Sequence, residues 1–237
     1  MRFGIIAALP GELKPLVHGW EPQRSGVRGL SVWKINSQGK ELIAACAGMG
    51  TNAALRGFSA VEFLGALDLV LSVGWAGALQ PGMKPATCYS PAEVIDTQTG
   101  ERFAATTGEP SVRLVTTPQV ADAAEKLRLY QSYSAALVDM EAATVARLAQ
   151  MRGIPFACFK GVSDSEHADL PDLNGFIDAQ GQMQMPSFLA HVALRPRFWG
   201  PLLELGRNSS IAAKAIAEGV NRFLAENTFE ESTKREQ

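Results

Sequence analysis

Unbroken apolar runs alternate along the chain with stretches in which apolar residues recur every three or four positions. Phe3–Leu9 and Leu67–Val73 are continuous, as strands buried on both faces of a sheet must be. Leu30–Asn36 and Glu41–Ala47 flank Ser37-Gln38-Gly39-Lys40, which predicts a hairpin. In Thr51–Leu64, residues Ala54, Leu55, Phe58, Val61 and Leu64 share one helical face. Glu12–His18 reads as a short helix limited by Pro15. Strands are predicted over Thr87–Asp96, Arg102–Thr106 and Val112–Thr117. Pro118 is expected to open a helix reaching Leu129, because proline suits a first helical turn. Ala135–Val138, Glu141–Met151 and Pro155–Val162 form a strand–helix–strand unit turning at Arg152-Gly153-Ile154. Beyond Asp164 the pattern breaks into a polar stretch, Ser165–Gln184. Helices over Pro186–Ala193, Phe198–Leu205 and Ser209–Leu224 are expected to close the fold, with a charged, frayed tail at 228–237.

Strands alternating with helices predict an α/β protein. One domain is expected over residues 1–237, with a mixed, mostly parallel central sheet flanked by helices. Its core would span 1–165, followed by a mainly helical C-terminal part over 166–227. The chain is 46% hydrophobic and 19% charged, so it can bury a core without disulfides or metals. A net charge of −2 gives no field to recruit nucleic acid or an anionic membrane. The three cysteines, Cys46, Cys88 and Cys158, are scattered and lack CxxC spacing, which fits a reducing cytoplasmic setting. The histidines, His18, His167 and His191, form no ligand pair, so no metal and no cofactor are expected. No apolar run is long enough to span a bilayer. The first run stops at Pro10-Gly11-Glu12, too short for a secretory signal core.

The chemistry gathers at strand ends. Asp139-Met140-Glu141 stands at the mouth of a helix, and Ser163-Asp164 ends the next strand. Glu12 lies just past the first strand. In an open parallel sheet that edge is where ligands bind. Each acid alone also reads as a helix or loop cap, but three carboxyls at three strand ends suit acid–base work. Gly48-Met49-Gly50-Thr51-Asn52-Ala53 matches G-x-G-x-x-A. A dinucleotide site would need an acid closing the following strand, whereas Asp68 begins it. The segment is therefore a tight turn, either presenting backbone N–H groups to a ligand or serving the chain alone. Gly74-Trp75-Ala76-Gly77-Ala78, at the end of the Leu67–Val73 run, either admits a flat ligand to the backbone or makes a bulge.

Together these motifs resemble those of the purine nucleoside phosphorylase and nucleosidase superfamily, in particular the methylthioadenosine/S-adenosylhomocysteine nucleosidases. Arg2-Phe3-Gly4-Ile5-Ile6-Ala7-Ala8 with Glu12 is similar to that branch's first strand and its water-activating glutamate. Gly74-Trp75-Ala76-Gly77 resembles its Gly-Ser-Ala-Gly turn, and Asp139-Met140-Glu141-Ala142 and Ser163-Asp164 resemble its ribose-binding and acid motifs. The resemblance implies cleavage of a purine N-glycosidic bond through an oxocarbenium-like state. It makes Asp164 the acid that protonates the departing base and Glu12 the base that activates water. Glu141 would bind the ribose hydroxyls, Met140 would pack on the sugar and Ser163 would hold Asp164. Gly48, Met49, Gly74, Trp75 and Ala76 would complete the substrate site. Lys160 stands where the family usually has arginine and would position the acids. The resemblance also implies a homodimer or a higher homo-oligomer.

The departures are Trp75 in place of serine, Ala47 in place of another, and Thr116-Thr117-Pro118-Gln119 where the nucleosidases carry a base-stacking aromatic loop. Leu173–Gln184 and Val192–Leu205, with Phe198 and Trp199, look like the hopanoid-associated branch, which is thought to release adenine from an adenosylated hopanoid. Phe198 and Trp199 would then form an apolar lip, or else pack a helix turn or an interface. Either water or phosphate can be the acceptor. Leu9-Pro10-Gly11-Glu12 lacks the arginine that phosphorylases often place there, and a carboxylate suits water better than phosphate. A nucleoside-binding protein without catalysis, or a nicotinamide-dependent enzyme, are the readings from other classes.

Overall fold

A computed structural model describes residues 1–37, 39–168 and 170–226. Gln38 of the expected hairpin turn, Asp169 and the expected frayed tail lie outside these residues. The strands are β1 (Arg2–Ala7), β2 (Glu21–Gln23), β3 (Ser31–Ser37), β4 (Lys40–Cys46), β5 (Leu69–Ala78) and β6 (Cys88–Tyr89), then β7 (Pro91–Asp96), β8 (Arg102–Ala104), β9 (Glu109–Thr116), β10 (Leu137–Asp139) and β11 (Phe156–Asp164). The helices are α1 (Pro10–Leu13), α2 (Thr51–Phe63), α3 (Ala123–Tyr133), α4 (Ala142–Met151), α5 (Met185–Ala193) and α6 (Trp199–Glu226).

One mixed sheet carries the strands in the order β2-β3-β4-β1-β5-β10-β9-β7-β8, with β11 on β5 and β6 on β11. The central pairs β4–β1, β1–β5 and β5–β11 are parallel. The β2–β3–β4 and β7–β8 margins are antiparallel. β5 organises the sheet by forking. One edge pairs with β11 throughout; on the other, Phe3–Ile6 of β1 lie beside Leu69–Ser72, and Leu137–Val138 of β10 beside Gly77–Ala78.

The unbroken apolar run of β1 follows from burial on both faces. Phe3, Ile5 and Ala7 pack with Ile216, Val220 and Phe223 of α6, whereas Ile6 packs with Phe58 and Val61 of α2. Fully burying one such side chain stabilises the fold by about 1.5–3 kcal/mol.

Several elements differ from the expected ones. β5 does not stop at Val73 but continues through Ala78, so Gly74-Trp75-Ala76-Gly77-Ala78 is strand, held straight by its pairing with β11. Thr87–Asp96 is two strands, because the chain leaves β11 at Tyr89 and joins β9 from Pro91. Pro118 opens no helix; α3 begins at Ala123, where the Asp122 side chain accepts a hydrogen bond from Glu125 N at 2.8 Å. A side-chain cap outweighs proline's mild preference for a first turn. The last two predicted helices are one 28-residue helix, α6, uninterrupted at Gly206. Glycine there costs about 1 kcal/mol relative to alanine, less than the apolar face of α6 gains by packing on β11. Among the described residues no helix is long and apolar enough to cross a membrane.

Candidate active site

The strand ends surround a cavity of about 610 Å³. Glu12, Glu141 and Asp164 all line it. Met140, Ser163, Met49, Trp75 and Ala76 also reach its wall.

Glu12 sits in the four-residue α1 and is 4% exposed. Its Oε2 accepts hydrogen bonds from Ala8 N and Leu9 N, both at 2.8 Å, and its Oε1 accepts from Trp75 N at 2.8 Å. Burial raises its pKa from the ordinary carboxyl value, against the pull of these N–H groups and of Lys160. Glu141 is the N-cap residue of α4 and is also buried. Its Oε1 accepts from Gly50 N at 2.6 Å. Burial, reinforced by the nearby Asp139 charge and opposed by Lys160, pushes its pKa up to about 8.

Asp164 ends β11 at a register shift, where a bulge between Val162 and Asp164 re-aims the strand end. Its Oδ1 accepts from Ser163 Oγ, and its Oδ2 is paired with Lys126 Nζ. Lys126 lines the cavity and also donates to Ser165 O at 2.6 Å. It was not among the sequence candidates. Within α3, Lys126 shares a face with buried Leu129 and half-buried Tyr130 and Tyr133, an unusual place for an unpaired cation.

Lys160 does not touch the three acids. It is 1% exposed and pairs with Asp139 Oδ2 at 2.9 Å, with Ser72 Oγ at 3.2 Å. Burial works against its charge, but Asp139, Cys158 and Glu141 together outweigh it and raise the pKa. Asp139 also accepts from Thr116 Oγ1 at 2.6 Å and from Ala142 N at 2.9 Å, which ties it to the start of α4. Lys160 therefore acts on Glu12 and Glu141 through charge rather than contact.

Gly48 and Gly74 do not line the cavity, contrary to the sequence expectation. Gly48 has φ +109°, and a Cβ there would lie 2.4 Å from Gln182 Nε2. Its N–H donates to Ala8 O at 2.9 Å, and Met49 N donates to Gly181 O at 2.8 Å. With Gly50 N on Glu141, the N–H groups of residues 48–50 are all taken within the chain, so they are not presented to a ligand. Gly74 stands behind Glu12, whose carboxyl fills the space that a side chain would need.

The outer wall comes from the chain beyond Asp164. Leu170, Leu173, Met183 and Phe188 face the cavity together with Leu202 and Leu205 of α6. This roof is fastened on two sides. Asn174 Oδ1 accepts from Val120 N at 2.8 Å and its Nδ2 donates to Val120 O at 3.1 Å. Opposite, Gln182 Nε2 donates to Ala47 O at 2.9 Å, beside the Met49–Gly181 bond. Phe198 and Trp199 do not form the expected lip. Phe198 is buried at the foot of α6, and Trp199 turns outward with Nε1 donating to Val192 O at 3.0 Å. Thr117 and Gln119 line the cavity without an aromatic ring from their segment. The indole of Trp75 packs on Gly11, and its Nε1 donates to Ser209 O at 2.9 Å.

Among the described residues no cluster of His, Cys, Asp and Glu is suited to hold a metal ion. Burial pushes the Cys46 and Cys158 thiols up to about 12, so neither is an activated nucleophile. What remains is acid–base chemistry: two buried carboxyls with raised pKa values, and one carboxylate paired with a cation.

Solved structures share this architecture. Helicobacter pylori 5'-methylthioadenosine/S-adenosyl homocysteine nucleosidase superposes with a TM-score of 0.71 at 16% identity, over 95% of this chain and 98% of that one. Futalosine hydrolase of the same organism gives 0.71 at 16% identity, over 95% and 98%. Arabidopsis thaliana 5'-methylthioadenosine nucleosidase gives 0.72 at 16% identity, over 97% and 96%. At such identities the likeness establishes the fold alone. No curated protein matches the chain in sequence. The family model of the phosphorylase superfamily matches residues 2–126 and 99–191, and on that match the chain belongs to the phosphorylase superfamily.

Proposed function

We propose that the protein hydrolyses the N-glycosidic bond of a purine nucleoside and releases the free base, adenine being the base we favour. The observation that carries this reading is the meeting of Glu12, Glu141 and Asp164 in one cavity. Glu12, whose pKa is raised by burial, takes a proton from the attacking water. Glu141 receives the ribose hydroxyls beside the Met140 thioether. Its high pKa lets it enter protonated, with one O–H to donate and oxygen left to accept. Asp164 delivers a proton to the departing base, and Ser163 holds it.

Two features favour water over phosphate. Among the described residues no arginine lines the cavity, and the 48–50 N–H groups are occupied. The similar solved structures are named as nucleosidases and a hydrolase. The apolar roof of Leu170, Leu173, Met183 and Phe188 suits a substrate with a large apolar 5′ substituent, such as an adenosylated hopanoid. A cytoplasmic homodimer completes the proposal. It is supported by three free thiols and by exposed Leu55 and Phe63 around a second, apolar groove.

The test is base release from adenosine, inosine, methylthioadenosine and an adenosylated lipid, with and without phosphate. Free base in phosphate-free buffer is the expected result. Strict dependence on phosphate would assign phosphorolysis instead.

A further inference from the structure

We propose that Lys126 is a positioning residue that supplies, through Asp164, the proton taken up by the departing purine. This rests on the hydrolytic reading above. Both oxygens of Asp164 accept from the protein, Oδ1 from Ser163 and Oδ2 from Lys126. The Lys126 ammonium paired with Oδ2 favours the carboxylate form of Asp164, and a carboxylate has no proton to give. The ammonium beside it has three. Lys126 is 3% exposed, so its cation is not dissipated in bulk water, and its bond to Ser165 O fixes the head group at the end of β11. Room for the pair comes from Gly77. A Cβ on that residue would lie 3.1 Å from Lys126 Cε and 3.2 Å from Asp164 Oδ2. Lys160, the other buried lysine near the acids, is committed to Asp139.

The step balances. The C1′–N9 bond breaks and its electron pair passes to the purine. An ammonium proton moves by way of the Asp164 carboxylate to a ring nitrogen, leaving Lys126 as the neutral amine. Water forms the new bond to C1′ and gives its proton to Glu12. Return of that proton through solvent to Lys126 Nζ resets both residues.

The experiment compares wild type, Lys126→Met and Lys126→Arg on adenosine and on p-nitrophenyl riboside, whose phenolate leaves without being protonated. Nucleoside affinity and thermal melting are measured alongside. Both variants are expected to lose about 10²-fold or more in kcat on adenosine with little change in affinity, and about fivefold or less on p-nitrophenyl riboside. Arginine keeps the cation but holds its proton too tightly to pass it on. Rescue of adenosine turnover by Lys126→Arg would therefore reduce Lys126 to a structural counter-ion and overturn the proposal. Equal losses on the two substrates would overturn it as well. The use of two variants keeps the test open should one of them not fold. A wild-type protein that cleaves neither substrate would instead remove the hydrolytic reading itself.

Discussion

A Cβ placed on Gly74 would stand 2.8 Å from Oε1 of Glu12. The glycine is also at φ +146°, a conformation that side-chain-bearing residues rarely adopt. Gly74→Ala is therefore expected to destabilise the protein by about 1–3 kcal/mol and to push Glu12 off its three N–H donors. Melting temperature and kcat should fall together. Gly82→Ala is the control: its φ is +89°, but nothing lies within 4 Å of the added carbon, so stability alone should drop.

Asp164→Asn and Glu12→Gln are each expected to lower kcat by about 10²–10⁴ while nucleoside affinity is kept. Single-turnover rates with calorimetric binding check this. An Asp164→Asn protein working near full speed would take the acid role away from that residue.

Glu141 ties stability to pH in an unusual direction. Its folded pKa, about 8, lies above the ordinary 4.5. Between those values the folded state holds a proton that the unfolded state has released, so this residue's contribution falls as pH rises and levels off above 8. Glu141→Gln removes that slope and keeps an acceptor for Gly50 N. The stability of wild type relative to Glu141→Gln should drop from pH 5 to pH 9, by an amount on the order of a few kcal/mol. Parallel denaturation curves for the two proteins across this range would contradict the assignment.

Asn174→Ala removes both bonds to Val120, at a net cost of about 1–3 kcal/mol. The expected signs are faster proteolytic nicking between residues 166 and 184 and weaker binding of nucleosides with apolar 5′ groups. Adenosine, which does not need the roof, should bind as before.

The acids and their edge of the sheet were readable because strand ends are marked by polar residues after unbroken apolar runs, as at Leu9–Glu12 and Val162–Asp164. Other features were not local. Gly74-Trp75-Ala76-Gly77 reads as a turn by its resemblance, yet it is strand because β11, from Lys160 to Asp164, pairs with it. Gly74 leaves room for Glu12, and Gly77, which lines the cavity, leaves room for the Lys126–Asp164 pair. Lys126 stayed hidden because the expected helix stopped at Leu129, short of Tyr130 and Tyr133, which share its buried side. Phe198 and Trp199 drew attention by size, whereas the aliphatic residues Leu202 and Leu205, further along an unbroken α6, reach the cavity.

The roof has an evolutionary corollary. The groups proposed to break the bond all lie before residue 165, while the surface that would judge the rest of the substrate is contributed largely after it. Selection can rewrite the later stretch, and with it the molecule's diet, while the catalytic apparatus is inherited untouched.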